Sequence, residues 1–130
     1  MTLREPPYDP NNYLSFAEAI SNDGKYDKVT RFRVSVGRSY YAAFVQSRDK
    51  LRTLGEIYDP LSRAIGEGGE HQFVITKLTA KDGTAGDYLS KLMKKRVDAD
   101  YHMDRPIGWD STTRSIRLAK EVIKKLPLIR

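Results

Sequence analysis

The chain has 130 residues, a length at which a single domain can bury one hydrophobic core. No apolar run approaches the roughly 20 residues that span a bilayer, and no signal peptide opens the chain, so no membrane partner is expected. The absence of cysteine excludes disulfides and thiolate chemistry and is compatible with the cytoplasmic location that we expect. The net charge of +6 favours an anionic partner, nucleic acid first.

The N-terminal segment predicts an irregular arm and one short helix. Three prolines among the first ten residues make 1–11 an irregular arm. Residues 12 to about 22 have the pattern of a helix that Asn11 or Asn12 can cap, and Gly24 lies just past its end.

A second, longer helix is the clearest structural prediction. Between Tyr26 and Leu54 the apolar and aromatic residues recur three or four positions apart, which is the spacing of an amphipathic α-helix. Gly55 ends this helix, and Gly37 weakens it because glycine has a low helix propensity. Its predicted inner face consists of Val29, Phe32, Val36, Tyr40, Ala43, Ser47, Leu51 and Leu54.

The middle of the chain is rich in loop signals. Asp59-Pro60 and GEGGE at 66–70 predict loops around a short helical turn. The segment HQFVITKLTAK, residues 71–81, has a strand-like centre, but its length and setting favour a helix, and we predict a helix there. KDGTAG at 81–86 is predicted to be a connection.

Two further helices complete the prediction. One is capped by Thr84 or Asp87 and runs to about His102, where Arg105-Pro106 breaks the pattern. The other is capped by Asp110 or Ser111 and ends before Pro127; its apolar face comprises Ile116, Ala119, Val122 or Ile123, and Leu126. The chain is thus predicted to be a single all-α domain over 1–130, a compact bundle of four to five helices.

The helix before Arg105-Pro106 has an arginine where its apolar stripe predicts a hydrophobic residue. Leu89, Leu92, Ala99 and Met103 form the stripe, and Arg96 fills its gap. A charged group there needs an anion, so we expect Arg96 to face a groove or a second subunit. The alternative is an arginine that extends its head to solvent from the edge of the core.

His102 follows Arg96 by six residues, about 240° around an ideal helix, so the two side chains would not converge on one helix. Either the helix frays before Arg105-Pro106, or a second chain completes the site. An exposed histidine without a role is the remaining alternative.

The same stretch also contains a set of acidic residues that could suggest a metal site. Alternate positions on a helix lie about 200° apart, so Asp98, Asp100, His102 and Asp104 should scatter around it. We therefore expect neither a metal nor a cofactor. GEGGE lacks the Lys-Ser/Thr of a phosphate-binding loop.

Several other side chains can have either a functional or a structural role. Arg38 and Tyr41 either line the same groove as Arg96 or pack against a neighbouring helix. Lys95, which follows Lys91 and Lys94, either guides a phosphate backbone or belongs to a solvated face. Trp109 is expected to anchor the loop before the last helix, and His71 to lie on the surface.

Two motifs together resemble the HEPN domain, and the resemblance spans residues 12–126. RSYYAAF at 38–44 lies on the long helix, and R-VDADY-H at 96–102 lies on the next-to-last helix. HEPN domains are small helical bundles, many of them RNA-cutting toxins or defence nucleases. Their hallmark is an arginine followed, after four to six residues, by a histidine; five residues intervene here.

The resemblance implies a role for each motif residue. Arg96 would hold the scissile phosphate, and His102 would transfer a proton during attack by the RNA 2′-hydroxyl. In the family two motif copies meet across a homodimer. The site would be extended by substrate-binding Arg38, Lys95 and Tyr101 and by orienting Asp98 and Asp100.

We therefore expect a metal-independent endoribonuclease of HEPN type, the toxin of a toxin–antitoxin or phage-defence system. Its partners would be RNA, a second copy of the chain and a cognate antitoxin protein. The alternative is a non-catalytic HEPN-like module that binds nucleic acid, nucleotide or a protein partner. Val97, where active members often have a polar residue, keeps that alternative open. Asp104 occupies the position at which some toxin members carry a tyrosine modified by a partner nucleotidyltransferase.

Overall fold

The computed structural model describes residues 7–61 and 69–130, and every regular element in these ranges is a helix. The predicted all-α bundle of four to five helices is confirmed. None of the helices in the described ranges is long and apolar enough to cross a membrane. The helices are α1 (Asn11–Ser21), α2 (Lys28–Thr53), α3 (Glu70–Lys81), α4 (Gly83–Tyr101) and α5 (Trp109–Lys125), followed by a short 3₁₀ helix (Leu126–Leu128).

The long helix α2 is the centre of the bundle and packs against each of the other four α-helices. From Phe32 to Leu51 every member of its predicted inner face is buried, whereas Val29 in the first turn is exposed. The spacing of three and four residues thus locates the face correctly but not the point where it leaves the core.

Gly55 ends α2 as predicted. Its φ of 86° is the left-handed conformation that glycine adopts at lowest cost. The Gly55 N–H donates to the Arg52 carbonyl at 3.1 Å, and the Glu56 N–H donates to the Leu51 carbonyl at 2.9 Å. This pair of bonds is the Schellman motif, which satisfies carbonyls that the end of a helix leaves without partners.

The helix predicted over 71–81 is confirmed as α3, in which Val74, Ile75 and Leu78 are buried at helical spacing. The loop predicted at Asp59-Pro60 is present, since neither residue lies in a helix. The helical turn predicted after it and residues 66–68 of the next predicted loop lie outside the described residues. Gly69 is the N-cap of α3, and α3 begins at Glu70.

The connection predicted at 81–86 is wrong, because α4 begins at Gly83. Asp82 caps it in place of Thr84 or Asp87: its carboxylate accepts the N–H groups of Thr84 at 3.1 Å and Ala85 at 3.0 Å. Gly86 is buried against α3, where an added Cβ would lie 2.5 Å from the Cα of Thr79. This glycine permits close helix packing and does not mark a loop.

The other predicted caps are also wrong. Pro10 precedes α1 in the capping position, and Asp9 accepts the Asn11 N–H at 2.9 Å. Gly108 precedes α5 and supplies no side chain, so Asp110 and Ser111 lie inside the first turn of that helix. Sequence patterns locate these helices to within a few residues, but several residues near each end can serve as caps.

Among the described residues, two apolar clusters form the core. The main one draws on all five α-helices and the residues after α5. The smaller one joins Phe32 and Val36 of α2 to Ala99 of α4 and to Ile107 in the α4–α5 loop. The C-terminal end of α4, which carries the RVDADYH motif, is therefore anchored separately from the main core.

Candidate functional site

The apolar stripe of α4 is present as far as the helix extends. Leu89, Leu92 and Ala99 are buried, whereas Met103 is 67% exposed, so its predicted place in the stripe is wrong. The helix ends at Tyr101, and Met103 lies in the turn that follows. Arg96 lies in the gap of the stripe with 21% of its side chain exposed.

Arg96 forms an ion pair with an aspartate of its own helix. Its Nε donates to the Asp100 carboxylate at 2.9 Å, and its Nη2 donates to the Tyr101 hydroxyl at 3.4 Å. The guanidinium lies 5.2 Å from the Tyr101 ring centre and 6.0 Å from that of Tyr40 on α2. Its Nη1 has no hydrogen-bond partner among the described residues. The side chain is thus held in one orientation while keeping donors for a ligand.

Asp100 connects this arrangement to α2 at Gly37. A Cβ added to Gly37 would lie 3.2 Å from one Asp100 carboxylate oxygen. Gly37, which has a low helix propensity, therefore gives the Asp100 carboxylate room beside α2. Of the two aspartates expected to orient the site, Asp100 is the one that contacts Arg96.

His71 is half-buried beside this group, so the prediction that it lies on the surface is wrong. Its Nδ1 shares a 2.6 Å hydrogen bond with the hydroxyl of the fully buried Tyr40, and its ring lies 4.2 Å from that of Phe44. Burial, with the positive charge of Arg96, lowers the pKa of His71, while burial raises the pKa of Tyr40. The spacing of His71 to Ile75, one helical turn, was a sequence signal for this placement.

His102 leaves α4 on a different side. It lines an open cavity of about 400 Å³, together with Lys94 and Asp98 of α4, Gln72 of α3, and Arg105. Asp98 accepts a hydrogen bond from Arg105 at 2.7 Å in this cavity. The His102 side chain makes no hydrogen bond within the described part of the chain. Its imidazole is therefore available to a ligand.

Arg96 and His102 do not meet within one chain. Arg96 packs towards α2, and His102 lies with α3, as their separation of about 240° on the helix predicts. No hydrogen bond links the two side chains, although both are described. The helix does not fray far enough to bring His102 back to Arg96.

Arg33 of α2 holds the end of α4 in place, and sequence reasoning missed it. Its Nη1 donates to the carbonyls of Asp98 at 3.0 Å, Ala99 at 3.1 Å and His102 at 3.3 Å. Its Nη2 donates to two further carbonyls in the turn after the helix. A cation at a helix C-terminus also interacts favourably with the helix dipole. The position of His102 thus depends on Arg33.

The predicted substrate-binding residues are dispersed. Tyr101 lies with Arg96, but Lys95 points towards α5, where its Nζ is 3.4 Å from the Ser111 hydroxyl. Arg38 lies 5.7 Å from the ring centre of Tyr13 and 5.2 Å from that of Tyr41. Of the two alternatives for Arg38 and Tyr41, packing against α1 is the one observed.

The acidic residues of the motif do not converge either. Asp100 pairs with Arg96, and Asp98 pairs with Arg105. In the described ranges no group of three or more histidine, aspartate or glutamate side chains is arranged to hold a metal ion. Trp109 packs against Phe32 with ring centres 5.8 Å apart, the anchoring contact expected of it.

No protein-family model, no curated protein and no solved structure matches the chain.

Proposed function

We propose that the chain is a metal-independent endoribonuclease of HEPN type, in which Arg96 holds the scissile phosphate and His102 transfers a proton. The observation that carries this proposal is the fixed Arg96 guanidinium. Two of its nitrogen atoms are committed to Asp100 and Tyr101, while Nη1 is unpaired among the described residues. Arginine stays charged and presents a planar fork that matches phosphate oxygens.

The side chain of His102 complements that role. It is free of hydrogen bonds to the rest of the described chain and lies in an open cavity that is also lined by Lys94 and by the Asp98–Arg105 ion pair. Histidine titrates near neutral pH and can accept the proton of a 2′-hydroxyl or donate one to the leaving oxygen. Because RNA supplies its own nucleophile, no metal-bound water is needed.

The separation of Arg96 from His102 requires a second chain in this proposal. A symmetric dimer can place Arg96 of one protomer opposite His102 of its partner. Tyr101 and Met103, at the end of α4, are 64% and 67% exposed and offer apolar surface for such an interface. The biological setting we propose is a toxin controlled by an antitoxin, or a phage-defence nuclease.

An RNA cleavage assay with end-group analysis tests the proposal. Wild type should cut RNA in EDTA, leave a 2′,3′-cyclic phosphate or 3′-phosphate and a 5′-hydroxyl, and spare DNA, which lacks the 2′-hydroxyl. His102→Ala should fold with unchanged helical circular dichroism and not cut. His71→Gln, the matched change at the other histidine, should still cut.

Three outcomes would refute this assignment. Folded His102→Ala that still cuts removes His102 from the reaction. If His71→Gln loses cleavage while His102→Ala keeps it, His71, which is bonded to Tyr40, is the catalytic histidine. Ends with a 5′-phosphate, formed only with added Mg²⁺ or Mn²⁺, would indicate a metal-activated water.

A non-catalytic nucleic-acid-binding module is the second candidate. Val97 lines the His102 cavity at the position where active HEPN members often have a polar residue. Binding of RNA without any cleavage, in the same assay, would favour this candidate.

A further inference from the structure

A second cleft, separate from the surroundings of Arg96 and His102, lies between α4 and the first turns of α5. Its volume is about 450 Å³. It is lined by Lys95 from α4 and by Asp110, Ser111, Thr113, Arg114 and Arg117 from α5.

The cations of this cleft lie together without an acidic partner among the described residues. Lys95, Arg114 and Arg117 form no ion pair in the described part of the chain. By contrast, two other cations of α4 are paired: Lys91 with Asp87 at 3.0 Å, and Arg96 with Asp100 at 2.9 Å. Three cations face one acidic residue, Asp110, which lies beyond ion-pair distance of all of them. The cleft therefore carries a positive charge that the protein itself does not neutralise.

The start of α5 adds hydrogen-bond donors to these charges. The helix begins after Gly108 without any side-chain cap, which leaves the N–H groups of its first turn to other acceptors. The hydroxyl of Ser111 lies 3.4 Å from Lys95 Nζ, whereas the Thr113 hydroxyl donates to the Asp110 carbonyl at 3.2 Å. The Ser111 hydroxyl and three unpaired cations, next to the N-terminus of α5, form a suitable environment for phosphate groups.

We propose that this cleft binds the phosphodiester backbone of single-stranded RNA. The assignment of RNA as ligand rests on the proposed function. Lys95 directly precedes Arg96 in the chain, so their Cα atoms are about 3.8 Å apart. A strand held by the cleft thus passes beside the helix that carries the proposed phosphate-holding arginine. Arg114 and Arg117 are one turn apart on α5 and can contact phosphates that follow the one at Lys95.

The test is fluorescence anisotropy with a labelled single-stranded RNA whose sugars are all 2′-O-methylated, so that cleavage by 2′-hydroxyl attack is impossible. The full chain is compared with the triple variant Lys95→Gln, Arg114→Gln, Arg117→Gln. The matched control is Lys25→Gln, Lys81→Gln, Arg130→Gln, which removes the same charge from exposed residues outside the cleft. Each titration is repeated over a range of salt concentrations.

The cleft variant should bind on the order of 10–100-fold more weakly at low salt, with a log–log salt slope smaller by about 2, since each single-strand phosphate contact contributes about 0.7. The control should stay within about twofold of wild type. Equal loss of RNA affinity in both variants would indicate diffuse charge attraction and would overturn the cleft as a binding site. Unchanged affinity of the cleft variant, or no binding of RNA by wild type, would overturn it as well.

The two proposals can fail separately in this design. Cleavage of ordinary RNA by His102→Ala tests the catalytic assignment, and binding of the methylated RNA by the cleft variant tests the cleft. If His102→Ala still cuts ordinary RNA while the cleft variant binds poorly, the catalytic assignment fails and the cleft stands. If His102→Ala is inactive while the cleft variant binds normally, only the cleft fails. Inorganic phosphate at millimolar concentration is also tested as a competitor of the labelled RNA. If it displaces the labelled RNA as well as unlabelled RNA does, the cleft is a site for a free anion, and its assignment to the RNA backbone is overturned.

Discussion

The two halves of α4 serve different purposes. In the N-terminal half, Ala85, Gly86, Leu89 and Leu92 are buried, and the helix touches α3 so closely that only glycine fits at one position. In the C-terminal half Ala99 is still buried, but the inward position at Arg96 is charged, and Arg96 contacts an aspartate, a tyrosine hydroxyl and two aromatic rings. One helix thus contains a part that is optimised for packing and a part whose charged groups are retained despite their cost.

The difference teaches where to look for function in a small helical bundle. Burial explains the first half completely, since its inward residues are small or apolar. In the second half burial alone would favour leucine or methionine at position 96. The charged residue there is accommodated by Asp100, by two aromatic rings and by the absence of a side chain at Gly37.

Gly86→Ala should produce the largest loss of stability and test the packed half. The new Cβ would lie 2.0 Å from the Thr79 hydroxyl oxygen and 2.5 Å from its Cα, so α3 must move. We expect the free energy of unfolding to fall by about 3 kcal/mol, the upper end of the usual overpacking cost. Urea unfolding measures this. Gly83→Ala, with nothing within 4 Å of the new Cβ, should change stability by less than about 1 kcal/mol.

Arg33→Met should loosen the charged half while leaving the packed half intact. The substitution keeps most of the aliphatic stem and removes the donors to the carbonyls of Asp98, Ala99 and His102. We expect a loss of about 2 kcal/mol, since hydrogen bonds from charged groups contribute about 1.5–3 kcal/mol. Amide hydrogen exchange should accelerate at 98–105 and not at 85–92. Uniform acceleration across α4 would contradict the division into two halves.

Asp100→Asn should separate the orientation of Arg96 from stability. The pair is partly exposed, so breaking it should cost about 1 kcal/mol or less. RNA cleavage should nevertheless fall on the order of 10–100-fold, because a displaced Arg96 would hold the phosphate out of line with the reacting groups. The matched change Asp98→Asn breaks the ion pair with Arg105 and should cost a similar amount of stability with a smaller loss of cleavage. Equal loss of cleavage in both variants would remove the special role of Asp100.

The smallest effect concerns pH and His71. Its folded-state pKa lies below the ordinary value of 6.5 because burial and Arg96 disfavour the imidazolium form. Between the lowered folded-state pKa and 6.5, the unfolded chain therefore binds more protons than the folded chain. The stability that neutral His71 contributes above pH 6.5 is lost as the pH falls through this range. His71→Gln should flatten this part of the curve of unfolding free energy against pH. An unchanged curve would mean that His71 does not titrate differently on folding.

The sequence predicts the helices well because their apolar spacing reflects burial in one core. It misplaces the caps and the segment 81–86, because a glycine in the sequence is compatible both with a loop and with close helix packing, as at Gly86. Arg96 is recognisable as an anomaly in an apolar stripe. Arg33 and Gly37 are not, because their partners are up to 72 residues away in the chain and no local pattern encodes such contacts. The helical spacing of His71 from Ile75 indicates that His71 faces the core, but it does not identify Tyr40 as the partner of His71.

Complementation between two inactive variants tests the central claim, that Arg96 and His102 act together from different chains. Arg96→Ala and His102→Ala are purified separately and also co-expressed, with light scattering to verify dimers, and RNA cleavage is measured for each sample. Random pairing makes half of the dimers mixed, each with one intact site of two, so we expect about a quarter of the wild-type rate from the co-expressed protein. Each variant alone should be inactive. No recovery in a sample shown to contain mixed dimers, or full activity of either variant alone, would contradict a site shared between two chains.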